Sequence, residues 1–318
     1  MSGPGPGAGA GDTPFRSGFV TLVGRPNVGK STLLNRLVGT KVSIVSDRPQ
    51  TTRNEIRGVR TTTGSQIVFL DTPGIHRPRT PLGERTNQRA LATLAEVDVV
   101  AFLVEAHAPI GRGDRFIADL VHGAGTPAIL VVNKVDLATR AQVVDHLGRA
   151  AGLLGDFDAY VPVSAATGDG VDALLGELEA RMPEGPRYYP EGVVTDQPET
   201  FLAAELVREK LLATAREELP HSITVSVEEL ESAEEEPAAG EPGRARGDLL
   251  RLRAVIRVER DSQKAIVIGR RGENLRRAGT EARHELEALL GCRVHLETFV
   301  KVERGWQRRS HLLDRLGY

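Results

Sequence analysis

The chain has 318 residues, enough for two domains and a sizeable buried core, with 40% hydrophobic and 26% charged residues. Its formal net charge is −2, and the single cysteine, Cys292, excludes an internal disulfide and a cysteine metal centre, which fits a reducing cytosolic compartment. No apolar run approaches the roughly 18 residues of a membrane-spanning helix, and the opening "MSGPGPGAGAGDTP" lacks the basic start and apolar middle of a targeting segment.

Residues 1–16 therefore read as a disordered tail. Residues 17–182 alternate apolar runs with amphipathic stretches. "FVTLVG", "IVFLDT", "VDVVAFLVEA", "AILVVNKVD" and "YVPVS" read as buried strands, with helices such as "KSTLLNRLV" and "DALLGELEARM" between them. This pattern predicts an α/β domain: a mostly parallel sheet with helices on both faces and ligands beyond the carboxyl ends of its strands. Prolines 183, 186, 190 and 198 mark 183–198 as a linker.

Residues 199–318 read as a smaller α+β domain. A helix over "ETFLAAELVREKLLATAREEL" leads to a strand, "HSITVSVEE", and an acidic hairpin insertion over 229–243. A second strand, "LLRLRAVIRVER", is followed by a short turn of helix, a glycine loop, a helix through "ENLRRAGTEARHELEALL" and a last strand, beside which Cys292 is expected to be buried. Eleven basic residues fall between Arg244 and Arg277, which is either a polyanion-binding face or a solvated surface.

"GRPNVGKS", Gly24 to Ser31, satisfies Gly-x4-Gly-Lys-Ser between a strand and a helix. The candidate phosphate set is Gly24, Asn27, Val28, Gly29, Lys30, Ser31 and Thr32. Glycines there let backbone N–H groups wrap phosphates at a helix N-terminus, where Lys30 would reach the β- and γ-phosphates and Ser31 would ligate Mg2+. "NKVD", Asn133 to Asp136, selects the base. Guanine presents two adjacent donors that the Asp136 carboxylate can accept together, while Asn133 braces the loop and the Lys134 stem covers the base. "SAATG" offers Ser164, Ala165 and Ala166 to the guanine oxygen. In "DTPG", Asp71 would hold Mg2+ through water and the Gly74 N–H would sense the γ-phosphate. In "RPQTTRN", Thr52, with Thr51 as second choice, would reach Mg2+ and the γ-phosphate when that loop is ordered. The metal set is thus Ser31, Thr52 and Asp71.

The phosphate loop, "RPQTTRN", "DTPG" and "NKVD", in that order along the chain, resemble the translation-factor class of GTPases, and "RPQTTRN" with "DTPGIHRP" narrows the resemblance to the Era family. One departure from Ras-like enzymes matters: Ile75 stands where a glutamine would orient the attacking water. No residue is assigned as the catalytic group. Lys30 and Thr52 keep transition-state and switch roles, and slow hydrolysis is expected.

The second glycine loop, "IVIGRRGENL", lacks the Gly-Lys-Ser ending of the first. Between two helices, after two strands and before a third, it matches a KH domain, whose Gly-x-x-Gly loop clamps a single-stranded backbone. Gly269 and Gly272 would allow close approach, Arg270 and Arg271 would contact phosphates, and Ile266, Val267 and Ile268 would line an apolar groove for bases. The bland alternative is a charged helix-helix turn.

The resemblance to Era covers nearly the whole chain, including "YPEGVVTDQPETFLAAELVREKLL", "ELPHSITV" and the closing "LGY". It implies a GTPase joined to a type II KH domain, using GTP/GDP and Mg2+ and binding the 3′ end of 16S rRNA during assembly of the small (30S) ribosomal subunit and maturation of that RNA. A cytoplasmic monomer is expected, sometimes peripheral on the cytoplasmic face of the membrane, with no DNA partner. Two other classes compete. One is a constitutive RNA-binding module with a vestigial nucleotide site, which intact Lys30, Ser31, Asp71 and Asp136 argue against. The other is a membrane-surface GTPase, which no strongly amphipathic lipid-binding segment supports.

Overall fold

The computed structural model describes residues 14–46, 56–72, 81–214, 222–234 and 248–316. The first domain is a six-stranded sheet in the order β2-β3-β1-β4-β5-β6, built from β1 (Arg16–Gly24), β2 (Ile56–Thr61), β3 (Ser65–Asp71), β4 (Val99–Glu105), β5 (Ala128–Asn133) and β6 (Ala159–Pro162). All neighbours are parallel except β2, which pairs antiparallel with β3. Helices α1 (Lys30–Val38), α2 (Pro81–Glu96), α3 (Arg112–Ala124), α4 (Arg140–Leu154) and α5 (Val171–Ala180) complete it. One core packs α1 and α5 on one face of the sheet, and another packs α2, α3 and α4 on the other. Strands β4 and β5 are buried along nearly their whole length, as strands covered on both faces must be.

Strand β2 was not foreseen, because "IRGVRT" has too few apolar residues to show alternation. Its signal is Gly58. A Cβ there would lie 2.6 Å from Val38 Cγ2 and 2.9 Å from Leu34 Cδ1, so only glycine lets α1 approach the strand.

Residues 14–16, placed in the expected tail, are described, and Arg16 is already strand. β1 begins at Arg16, whose guanidinium donates to the Met182 carbonyl at 2.9 Å, and the Phe15 carbonyl accepts from Gly185 N at 3.1 Å. Residues 1–13 lie outside the described residues.

The proline-rich stretch 183–198 runs along the first domain. Ser17 Oγ donates to Pro186 O at 2.6 Å, and the buried Gln66 amide accepts from Tyr188 N and Tyr189 N and donates to Tyr189 O. Further on, Val59 N donates to Val194 O at 2.8 Å, Thr195 Oγ1 donates to Arg57 O at 2.7 Å, and Arg57 pairs with Asp196 at 3.3 Å. Proline has no N–H to continue a sheet, so the stretch is held mainly by side chains and isolated backbone bonds.

The second domain contains α6 (Glu199–Thr214), β7 (Thr224–Glu234), β8 (Asp248–Val258), α7 (Asp261–Ile268), α8 (Glu273–Leu290) and β9 (Arg293–Val302). Its sheet order is β7-β8-β9, the first pair antiparallel and the second parallel. Beyond β9 lie a 3-10 turn at Trp306–Arg308 and α9 (Ser310–Arg315), neither foreseen.

Part of the expected acidic insertion is strand. Residues 229–234 extend β7 and pair with β8, where Glu229 faces Arg253 at 2.8 Å and Glu231 lies opposite Arg251. Opposite charges across the ladder make an acidic strand tenable that its composition alone argues against. Residues 235–247 lie outside the described residues. Cys292, expected to be buried, is only half-buried and packs at the margin of the second domain's core.

The domains meet at two places. Ile44, in the segment after α1, is 1% exposed and sits in the second domain's core with Ala203, Leu206 and Val207 of α6. Beside it Lys41 bridges Glu209 of α6 and Glu285 of α8, each at 2.5 Å. At the other contact Leu82 of α2 packs on Trp306, Leu312 and Leu313, and Arg85 pairs with Asp314 at 2.6 Å. Among the described residues, no helix is long and apolar enough to cross a membrane.

Candidate nucleotide site and Gly-x-x-Gly loop

The first glycine loop leaves β1 and opens α1 at the carboxyl end of the parallel strands, as the sequence pattern requires. Gly24 and Gly29 both have positive φ. A Cβ on Gly29 would fall 2.3 Å from Asn133 Nδ2, so the loop can pass this close to the segment expected to select the base only as glycine. Lys30 is 7% exposed and its ammonium donates to the Gly24 and Arg25 carbonyls at 3.1 and 3.0 Å. Burial pushes it down to about 8 from 10.5, against the opposing pull of the Asp71 carboxylate.

Ser31 Oγ donates to Asp71 Oδ2 at 2.7 Å, which brings together two of the three expected metal-binding residues. Ser43, not foreseen, donates to the same oxygen at 3.0 Å. Thr51, Thr52, Gly74 and Ile75 lie outside the described residues. The described chain stops at Ser46 and resumes at Ile56, and stops at Thr72 and resumes at Pro81. The interdomain contacts at Ile44 and Leu82 therefore flank both expected switch segments.

Asn133 is 1% exposed and bridges two loops. Its Nδ2 donates to Val28 O at 2.8 Å, and its Oδ1 accepts from Ala165 N at 3.0 Å. Ser164 Oγ donates to Asp136 Oδ1 at 2.6 Å, which fixes one carboxylate oxygen of an otherwise exposed side chain. Lys134 takes a left-handed backbone, φ 65, donates to Asn27 O at 2.8 Å and pairs with Glu105. Glu105 also faces Arg25, which binds the buried Asp114 at 2.7 Å, so β4 and α3 brace the glycine loop. Sequence reading missed Arg25, Glu105 and Asp114 because no local motif links them; only the fold brings them together.

In the second domain, α7 ends at Gly269 and α8 starts from Gly272, with Arg270 and Arg271 exposed between them. Gly269 and Gly272 have φ 74 and 79, and Arg271 has φ 51. Asn274 Nδ2 donates to Ile266 O at 3.0 Å and ties the loop to α7. Ile266 is 51% exposed and Ile268 half-buried, but Val267 is 3% exposed. Val267 thus packs into the core and does not line a groove, because adjacent helical residues point about 100° apart.

The basic run also divides. Arg251, Arg253 and Arg257 lie on β8, where Arg257 binds Glu228 and Glu303, and Arg253 binds Glu229 and lies 4.4 Å from the Phe299 ring centroid. Arg253 and Arg257 are thus neutralised locally, whereas Arg270 and Arg271 are exposed at the loop tip.

Comparison with known proteins agrees with this arrangement. Residues 19–134 match the family model described as a 50S ribosome-binding GTPase, and residues 218–307 match a KH domain model. GTPase Era of Geobacter metallireducens is 46% identical over 96% of this chain and 99% of its own length. That of Mycobacterium tuberculosis is 48% identical over 96% of this chain and all of its own. A solved structure of an Aquifex aeolicus Era variant bound to GDP and aluminium fluoride superposes with a TM-score of 0.87 at 38% identity, covering 96% of this chain and 99% of that one. Both domains, their order and nearly the full length are shared at these levels, and the chain belongs to the Era family of GTPases.

Proposed function

We propose that this chain is a GTP-operated RNA-binding protein. It binds GTP with Mg2+, hydrolyses it slowly to GDP and phosphate, and couples that cycle to engagement of the 3′-terminal 16S rRNA during small (30S) subunit assembly, as a cytoplasmic monomer. The observation that carries the nucleotide half is the convergence, at one end of a parallel sheet, of a buried lysine in a glycine cradle, a serine-aspartate oxygen pair and an exposed carboxylate beside a buried asparagine.

Lys30 would turn from the Gly24 and Arg25 carbonyls to the β- and γ-phosphates. Ser31 and Asp71 supply hard oxygen donors of the kind Mg2+ takes. Bound there, the ion would neutralise charge on the phosphate oxygens. Asp136 would accept guanine N1–H and the exocyclic amine, its rotation held by Ser164. Asn133, itself the first residue of the base-selecting segment, would lock that segment to the phosphate loop and to the loop after β6, since it already bonds Val28 O and Ala165 N. Thr51, Thr52 and Gly74 keep their proposed switch roles, and Ile75 offers no group to orient water, hence slow turnover.

The RNA half rests on the exposed Gly269–Gly272 loop with Arg270 and Arg271, flanked by Ile266 and Ile268. It is supported by an Era protein, 38% identical with a TM-score of 0.88, solved with MgGDPNP and nucleotides 1506–1542 of 16S rRNA. Coupling is supported by the contacts at Ile44 and Leu82. Reordering of either switch segment would pull on a residue already packed against the KH domain.

Base selection gives the direct test. Asp136→Asn should move preference from guanine towards xanthine, whose C2 carbonyl suits an amide donor where guanine's amine suited a carboxylate. In competition binding the GTP-over-XTP ratio should fall by at least about 100-fold, the scale of losing a charge-assisted pair of bonds. An unchanged ratio would remove Asp136 from the base site.

A further inference from the structure

Arg36 lies in the last turn of α1, on the helix that the phosphate loop opens. Its side chain does not point to solvent alone. Nε donates to Ala165 O at 3.3 Å and Nη2 donates to Ala166 O at 2.5 Å, so one guanidinium grips two consecutive carbonyls of the loop that follows β6. With Thr32, Asn35, Gly39, Thr40, Ala165 and Ala166, Arg36 also lines a cavity of about 290 Å³ between α1 and that loop.

A trans peptide points its C=O and its N–H in opposite directions. Holding Ala165 O on the α1 side therefore aims the Ala166 N–H away from α1. The neighbouring donors are already engaged: Ala165 N bonds Asn133 Oδ1 at 3.0 Å, and Thr167 N bonds Ser164 Oγ at 3.1 Å. Among the described residues the Ala166 N–H has no recorded partner, and Ala166 is exposed. The same short loop carries Ser164, which orients Asp136.

We infer that Arg36 is a positioning residue for guanine selection: its fork fixes the Ala165–Ala166 and Ala166–Thr167 peptides so that the Ala166 N–H is presented to the keto oxygen of the base. This rests on the guanine reading of the site. Without the fork the Ala165–Ala166 peptide can rotate, because no other contact recorded among the described residues holds its oxygen. A lysine would keep the charge but grip one carbonyl at a time, since it lacks the planar pair of donors.

The test uses the full chain, with GDP, 6-thio-GDP and ADP as ligands. Sulfur at position 6 is a weak acceptor, whereas N1–H and the exocyclic amine, the groups facing Asp136, are kept. Wild type should prefer GDP over 6-thio-GDP. Arg36→Ala should weaken GDP by up to about tenfold, the scale of one neutral amide-to-keto hydrogen bond, and weaken 6-thio-GDP much less, so that the ratio narrows towards one. Arg36→Lys should show the same narrowing at smaller size, which keeps the test alive if the alanine variant folds poorly. Equal losses for GDP and 6-thio-GDP would make Arg36 a structural tether and overturn the inference. A wild type that fails to prefer GDP over ADP would instead overturn the guanine reading, and this inference with it.

Discussion

Lys30→Ala should lower affinity for GDP and GTP by at least about 100-fold and bring turnover close to background, the scale of removing a desolvated charge from a phosphate contact. The size of the effect follows from where the ammonium sits. It is buried, depressed to about 8 by that burial, and held by two carbonyls of its own loop. An ammonium in so dry a setting meets phosphate with little water to screen it. Lys30→Arg should not restore binding, because a planar fork does not fit a slot shaped for a compact donor. Titration of fluorescent GDP, with phosphate release alongside, checks both parts. Near-normal turnover in Lys30→Ala would end the assignment of this loop as the phosphate site.

Gly272→Asp should nearly abolish RNA binding, by about 100-fold or more, while leaving GDP affinity close to wild type and lowering thermal stability only by the cost of one left-handed residue, about 1 kcal/mol. The two glycines of the loop differ in a way that selects this substitution. A Cβ on Gly269 would lie 2.7 Å from the Asn274 side chain and disturb the loop itself. One on Gly272 meets no heavy atom within 4 Å, and aspartate tolerates the left-handed backbone better than most residues. The loop should therefore survive while a negative charge enters the space where a sugar-phosphate chain would approach. Replacing Arg270 and Arg271 together with Ala should act differently. It should weaken cognate and scrambled oligonucleotides about equally and make the salt dependence shallower by roughly 1.4 in slope, two phosphate contacts at about 0.7 each. Fluorescence anisotropy with a 16S 3′-terminal oligonucleotide across a salt series measures all of this. Normal RNA affinity in Gly272→Asp would reduce the loop to a helix-helix turn.

How much of this was legible in the sequence depended on whether the determining contacts were local. Helices α1 and α8 fall on the residues that their patterns gave, because each is bounded by glycines in left-handed conformation at both ends. The meeting of the glycine loop, Asp71 and the segment from Asn133 at one end of the sheet was legible because each lies at the end of a strand whose apolar run shows in consecutive residues. Strand β2, the C-terminal turn at Trp306 and the contacts of Ile44 and Leu82 were not. Each depends on a partner far away in the chain: Gly58 on α1, Trp306 on α2, and Ile44 on α6. Val267 was misplaced because a run of three apolar residues gives no phase by itself; the fold supplied it.

The stretch 183–198 has a consequence for reach. A slack tether lets the domain it carries sample a volume that grows with tether length, and the effective concentration at a second site falls accordingly. Here the segment is fastened from Ser17 through Gln66 to Arg57. Any RNA gripped by the second domain is then held at a set offset from the first domain, and added residues between Met182 and Pro183 would form a bulge without lengthening that offset. The amide of Gln66, buried in the sheet and bonded to the backbone of Tyr188 and Tyr189, is one of these fastenings, and it acts together with the bonds of Val194 and Thr195 and the interdomain contacts at Ile44 and Leu82.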